Sequence, residues 1–332
     1  MMCPRLCKGL RVNNLSPVVA VLVAAFSITA YAGDFPDRTV TNIVPLSTGS
    51  ASDALARILA HALSDMWKVP VIVENRPGAN GIPATSRLVH SAPDGYTLLT
   101  IGTNHVINAS LYKDLPYDTI SDVTPVARIA FTPLILCASP SLPVNNLREL
   151  IALAKSRPGG LTYGSAGVGS TTHLAGEMLK SMAGINVLHV PYKAMSQAET
   201  DLMAGQIDMM FVVPSVAIPQ IKAGRYRAIA VGEPKRIPDM PDLPTLDEAG
   251  VPGYDAKAWI GLVGPAGLPG GIVKKLSGDV LKALALSEVQ NEIVTSGFVV
   301  APMPSEKFGE FMHLEQARWA AIVKQSGVQP SQ

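Results

Sequence analysis

The sequence predicts an α/β chain of two lobes between which the polypeptide crosses twice. Apolar runs of strand length alternate with helical periodicity over most of the 332 residues, the pattern of a parallel sheet covered by helices on both faces. Two extended, weakly polar segments, Arg128 to Ala138 and Arg227 to Val231, bracket a complete series of such alternations. One lobe is therefore left and re-entered, with the other inserted within it. Two turns rich in glycine and hydroxyl residues, at 46–53 and 164–172, each lead from a strand into a helix, as opposite walls of a cleft would. The expected organisation is a first lobe of residues 33–130 and 233–332 and a second of residues 131–232, free to rotate as rigid bodies about two hinge crossings.

In the first lobe, Val40 to Val44 reads as a strand ending at Pro45. The turn Leu46-Ser47-Thr48-Gly49-Ser50-Ala51-Ser52-Asp53 follows, and Leu55, Ile58, Leu59, Ala62, Leu63 and Met66 recur at helical spacing. Val69 to Val73 is a buried type of strand before the turn-rich stretch Glu74 to Gly81. Pro93-Asp94-Gly95 turns into the strand Tyr96 to Ile101, which ends in a polar loop, Gly102-Thr103-Asn104-His105. Open α/β sheets bind ligands at such strand ends. Arg76 is read as bracing its own loop rather than meeting a ligand.

The second lobe continues the alternation: helix Leu147 to Ser156, strand Leu161 to Tyr163, helix Thr171 to Met182, strand Val187 to Val190, helix Gln197 to Met203, strand Ile207 to Val213. After the return crossing, a strand is expected at Trp259 to Val263 and helices at Ile272 to Leu286 and Glu288 to Thr295. A last amphipathic helix carries Phe308, Phe311, Met312, Trp319, Ile322 and Val323 on one face, read as core packing rather than a partner site.

The N-terminus predicts export. Arg5, Lys8 and Arg11 precede the apolar run Pro17 to Ile28, and Ala30-Tyr31-Ala32 is a small-x-small cleavage site, so residues 1–32 read as a signal peptide. The run is too short for a retained spanning helix. Cys3 and Cys7 fall in the leader, leaving Cys137 alone and an internal disulfide impossible. Three of the 27 Lys and Arg residues go with the leader against 26 Asp and Glu, a formal charge of −2 that gives no support to nucleic-acid or anionic-membrane binding.

Gly164 to Ala175, GSAGVGSTTHLA, concentrates the chemistry. Its glycines admit close backbone approach, and Ser170, Thr171 and Thr172 suit a helix cap. A helix start leaves N–H groups unpaired at the positive end of the helix dipole, which favours a carboxylate or phosphate. Nucleotide readings fail on spacing. Ser170 and Thr171 stand where a phosphate-binding loop needs Lys and then Ser or Thr, and Thr172 stands where the dinucleotide fingerprint needs its third glycine. His173 and Glu177 lack a third metal ligand within reach, and Ser170 with His173 forms neither a triad nor a G-x-S-x-G elbow. No metal and no cofactor are expected. His173 is read as a hydrogen-bonding brace of its loop, and Asp53 as a cap or brace in its own helix start. Lys193 stays open between a ligand carboxylate and a surface or lobe-bridging role.

An ordered set of segments carries a family resemblance: Asn42-Ile43-Val44-Pro45 with Gly49 and Asp53, Val73-Glu74-Asn75-Arg76-Pro77-Gly78-Ala79, Ala92 to Leu99, Leu115-Pro116-Tyr117-Asp118, Gly167 through Ala175, His189-Val190-Pro191-Tyr192-Lys193, and Glu248 to Tyr254. By these the chain resembles the Bug-type extracytoplasmic solute receptors, the binding components of tripartite tricarboxylate transporters. The resemblance implies a type II-like, Venus flytrap periplasmic binding protein that grips a small organic carboxylate through loop backbone groups and waters. Carried over by position, the first-lobe contacts are Leu46, Ser47, Gly49, Ser50 and Asp53, with Thr103 and Asn104. The second lobe contributes Ala166, Gly167, Gly169, Ser170, Thr171 and His173, with the loop Val213-Pro214-Ser215. Departures are Ser47, Thr48, Ser50 and Ala51 in a first loop the family makes richer in proline and glycine, Ala194 for a glycine, and Val212 for an aspartate common in the family. The last disfavours an amino-acid ligand.

The function expected is therefore non-enzymatic: a periplasmic, monomeric receptor that hands a small carboxylate to the membrane subunits of its transporter. Two alternatives stand beside it, a ligand-dependent partner of a membrane sensor kinase and a secreted hydrolase or isomerase on the same lobes, for which no base and nucleophile converge.

Overall fold

The computed structural model describes residues 35–326 and 328; the expected signal peptide lies outside the described residues. The strands are β1 (Val40–Val44), β2 (Val71–Asn75), β3 (Thr97–Gly102), β4 (Val123–Thr132), β5 (Ile135–Ala138), β6 (Thr162–Ser165), β7 (Leu188–Pro191), β8 (Met209–Val212), β9 (Arg227–Val231), β10 (Ala258–Pro265) and β11 (Val299–Pro304). They form two sheets, ordered β11-β4-β10-β3-β1-β2 and β7-β6-β8-β5-β9. The fold is α/β and two-lobed. The helices are α1 (Ala51–Trp67), α2 (Ile82–Val89), α3 (Thr103–Leu111), α4 (Leu147–Ser156), α5 (Thr171–Ala183), α6 (Met195–Ala204), α7 (Pro214–Lys222), α8 (Gly270–Ala285), α9 (Ser287–Thr295) and α10 (Ser305–Ser326).

Both sheets are mixed, which corrects the expectation of parallel ones. β1 is parallel to β2 and β3, but β10 runs antiparallel to β3 and β4. Likewise β6 is parallel to β7 and β8, but β5 runs antiparallel to β8 and β9. The reason is the double crossing. A strand entering a lobe starts at the edge where that lobe's own strand-to-helix units end, so it must run against them.

The crossings are pinned to each other. Pro133, which has no N–H, interrupts the ladder between β4 and β5, and Gly232 after β9 donates its amide to the Leu134 carbonyl at 2.7 Å. Ala256 donates to the Gly232 carbonyl at 2.8 Å, and Leu246, Val251, Tyr254 and Ala256 pack in one core with Leu136 and Phe211 of the second sheet. The chain after 232 thus stays on the second sheet before β10 enters the first. The lobes also interleave in the other direction: Leu174 of α5 packs with Leu111, Trp259 and Phe308.

α10 is the amphipathic helix expected, with Phe308, Met312, Trp319 and Val323 buried and Phe311 and Ile322 partly buried against the same core. Its buried Glu315 accepts the indole N–H of both Trp259 and Trp319 at 3.0 Å and pairs with Arg318 at 3.0 Å. β11 was missed because Pro302 and Pro304 break its pattern; as an edge strand with a register shift between Val300 and Met303 it tolerates them. The expected polar loop at 102–105 is instead the start of α3, with Gly102 at its N-cap, and Val213 is the N-cap of α7 rather than part of a strand or loop.

Candidate functional site

Two helix starts share one construction. In α1, Ser50 is the N-cap at φ −69° and ψ 158°, and its side chain accepts the Asp53 amide. In α5, Ser170 is the N-cap at φ −68° and ψ 157°, and its side chain accepts the His173 amide. Each serine follows a glycine in the left-handed region, Gly49 at +83° and Gly169 at +79°. Each glycine amide then donates into the third helical residue: Gly49 N–H to Asp53 Oδ2 at 2.9 Å, and Gly169 N–H to His173 Nδ1 at 3.0 Å. A capping serine satisfies one orphan donor of a helix start. The amides of Ala51 and Ser52, and those of Thr171 and Thr172, keep no acceptor among the described residues. Both starts lie at the strand-end edges of their sheets, so each lobe offers a pair of free N–H groups at a positive helix end.

The first loop is held by Asp53 and Asn75. Asp53 is buried and pairs with Arg57 at 3.0 Å. Burial opposes its ionisation, yet the hydrogen bonds from Arg57, the Gly49 amide and Asn75 prevail and hold its carboxyl below the ordinary range. Asn75 donates to Asp53 Oδ1 at 2.8 Å and to the Leu46 carbonyl at 3.0 Å, and accepts from Thr48 Oγ1 at 3.1 Å. Both carboxylate oxygens of Asp53 are thus engaged within the loop, Oδ1 by Asn75 and Arg57 and Oδ2 by the Gly49 amide and Arg57. Arg76 pairs with Glu74 in its own turn.

The second loop rests on a polar stack of two buried rings, Tyr163 and His173, about the half-buried His189. His173 and His189 lie ring on ring with centroids 4.0 Å apart, and Tyr163 stacks on His189 at 4.9 Å. Tyr163 donates to Glu177 Oε1 at 2.5 Å, as does Lys180 at 2.8 Å, and Ser165 Oγ meets His189 Nε2 at 2.6 Å. Burial pushes His173 down to about 4, with Lys180 adding to it; burial and then His173 do the same to His189, also to about 4. Both rings are neutral at pH 7. His173 Nδ1 is the acceptor for Gly169, so its proton sits on Nε2.

The other expected residues fall as follows. Leu46, Ser47, Gly49 and Ala166 are exposed at the loop tips, while Gly167, Ser50, Ser170 and Thr171 are half-buried and Gly169 and His173 buried. Gly167 is in the left-handed region at +99°. Thr103 is spent on structure, its Oγ1 accepting the Trp259 amide at 2.9 Å, and Asn104 donates to the Asn80 carbonyl at 2.7 Å. Val213 is the N-cap of α7, and Pro214 and Ser215 line a cavity of about 480 Å³ with Pro133, Ile237 and Phe298, beside the crossings. Val212, the last residue of β8, is buried and packs with Ile135, Ala217 and Ile237. Asn75 and Asn80 were missed; the signal was present in a turn-rich stretch where asparagine both bonds locally and tolerates left-handed backbone.

The model of the "Tripartite tricarboxylate transporter family receptor" matches residues 55–328. The chain belongs to this receptor family. Solved relatives agree with the match over nearly the whole length. A protein of R. palustris solved with adipate is 34% identical, covers 90% of this chain and 100% of its own, and superposes with a TM-score of 0.80. The periplasmic binding protein BugD is 32% identical, with 89% and 99% coverage and a TM-score of 0.77. MatC from Rhodopseudomonas palustris, solved with malate, is 32% identical, with 87% and 100% coverage and a TM-score of 0.75. The chain is thus similar to Bug-type solute-binding proteins, and two of these relatives hold small organic carboxylates. No helix of the described residues is long and apolar enough to cross a membrane.

Proposed function

We infer that this receptor-family chain is a periplasmic protein that captures a small organic carboxylate between its lobes and delivers it to the membrane subunits of a tripartite tricarboxylate-type transporter. The observation that carries the reading is the mirrored pair of serine-capped helix starts, each with two amides free to donate. Hydrogen bonds to a charged partner contribute about 1.5–3 kcal/mol each, so a few of them support micromolar affinity after ordering costs. Adipate and malate in two relatives support the ligand class.

The binding set under this reading is Leu46, Ser47, Gly49 and Ser50 on the first lobe, facing Ala166, Gly167, Gly169, Ser170 and Thr171 on the second. Asp53, Asn104 and His173 position these loops. The lobes are residues 33–130 with 233–332, and 131–232, with 246–256 docked on the second lobe. Catalysis has no support: Ser170 Oγ donates to the Gly167 carbonyl at 2.8 Å and accepts the His173 amide at 3.2 Å, and Ser165, beside His189, is fully buried.

A thermal-shift panel on refolded protein (residues 33–332) tests the reading. A ligand at 100 times its dissociation constant adds about 2.7 kcal/mol of stability. Adipate, malate or another organic carboxylate should raise the melting temperature. A shift with inorganic phosphate alone would overturn the assignment.

A further inference from the structure

The turn before α2 holds four consecutive residues with left-handed backbone: Gly78 at +119°, Ala79 at +39°, Asn80 at +52° and Gly81 at +85°. Two of them carry a Cβ, and such backbone persists only where its surroundings enforce it. The enforcement centres on Asn80. Its carbonyl accepts two side-chain amides of α3, Asn104 Nδ2 at 2.7 Å and Asn108 Nδ2 at 3.1 Å. Gly81 is pressed against Pro45, where an added Cβ would lie 2.9 Å from the proline Cβ.

So held, Asn80 turns its side chain toward the other lobe. Its Nδ2 donates to the Tyr112 hydroxyl at 2.9 Å, and over a longer 3.4 Å to the carbonyl of Val168 in the second-lobe loop. The next residue, Gly169, is buried against the same patch; a Cβ there would lie 2.2 Å from Leu111 Cδ1 and 3.3 Å from Asn80 Nδ2. The loop that offers the Thr171 and Thr172 amides is therefore seated on the first lobe through a strained asparagine and a glycine-to-leucine contact, beside the packing of Leu174 on Leu111.

We propose that Asn80 is a positioning residue, an inter-lobe latch that holds the Val168–Gly169 loop against the first lobe and so sets how fast the closed protein releases its ligand. The proposal rests on the reading of the chain as a receptor that closes its lobes. Paired asparagines on the Asn80 carbonyl keep the donor aimed before the loop arrives. The acceptor is a backbone carbonyl one residue from Gly169, so the latch senses the position of the loop rather than the identity of the ligand. Opening breaks the Nδ2 bond and separates Gly169 from Leu111 while leaving the turn itself intact.

The test uses spin labels at His61→Cys on α1 and Ala152→Cys on α4, both exposed, with Cys137 buried. Asn80→Gly keeps the left-handed backbone and removes the side chain; Asn80→Asp keeps the shape and removes the donor. Both should broaden and lengthen the inter-lobe distance distribution of the ligand-free protein with little change in melting temperature. Both should speed adipate release about tenfold with association unchanged. Gly169→Ala should open the lobes in the same way by pushing the loop off Leu111. Distances in both Asn80 variants equal to the parent's overturn the latch, as does a parent already as open as the variants. If adipate binds none of the proteins, the distances still decide the latch, and the ligand assignment alone fails.

Discussion

The amide of Gly169 donates to Nδ1 of His173 at 3.0 Å, and this bond fixes the loop and the imidazole tautomer together. Its counterpart runs from Gly49 to Asp53 at 2.9 Å. A neutral ring and a carboxylate thus do the same job on opposite lobes, each accepting the glycine amide that precedes the capping serine. His173→Ala removes the acceptor and leaves a cavity beside His189. A loss of about 2–4 kcal/mol in urea unfolding is expected, with at least tenfold weaker binding of whichever carboxylate the thermal-shift panel finds. Stability lost with affinity retained would show that the loop needs no brace.

The two caps should behave as independent copies. Ser50→Ala and Ser170→Ala should each cost about 1 kcal/mol of stability. They sit on separate helices with no shared partner, so the double variant should show the sum within about 0.5 kcal/mol. Chemical denaturation of the four proteins checks this; strong non-additivity would mean that the lobes communicate through the caps.

Acid should destabilise the protein through its buried and half-buried histidines. His105, His173 and His189 are each held at about 4, burial being the first cause, against about 6.5 in the unfolded chain. The unfolded state then binds more protons between those values, so stability is complete above pH 6.5 and falls as pH drops toward 4. Each ring contributes a slope of up to about 1.4 kcal/mol per pH unit. Melting temperatures from pH 7 to 4 should show this fall, and His189→Gln should reduce it. An unchanged profile in the variant would contradict the neutral stack.

Glu233 works in the opposite sense. It is buried just after the return crossing, its Oε1 has no hydrogen-bond partner among the described residues, and burial first, then Asp255, pushes it up to about 7 in spite of Lys257. Its folded value exceeds the unfolded one, so the stability it contributes is complete below about pH 4.5 and lost as pH rises through 7. Glu233→Gln should remove that loss, making the variant more stable than the parent at pH 8 by about 3 kcal/mol at most. Equal stabilities at pH 8 would mean that the carboxyl ionises freely in the folded protein.

Much of this was legible in the residues. The alternation of apolar runs and helical periodicity announces the two lobes, and the bounds of α4 and the strand β1 follow directly from Leu147 to Ser156 and Val40 to Val44. Ser170 ahead of a helical period announces the second cap, whereas Ser50 as the first cap was not read, and His173 and Asp53 act as the braces expected of them. Strand direction was not legible, because whether β5 and β10 run with or against their neighbours depends on where a crossing enters a sheet. The Asn80 contacts were hidden for a related reason: its partners Asn104, Asn108 and Val168 are distant in sequence, and only the packed lobes bring them together. Thr103 shows the converse, a polar residue at a strand end whose hydroxyl serves the Trp259 amide.

The central claim is that one carboxylate ligand engages the free amides of both helix starts. The most direct measurement is an amide nuclear magnetic resonance titration of the refolded protein with adipate, following Ala51, Ser52, Thr171 and Thr172. The account predicts that resonances of both pairs move, saturating together at one equivalent, while an equal concentration of inorganic phosphate leaves them in place. Saturable binding of adipate that moves neither pair, or only one, would contradict it.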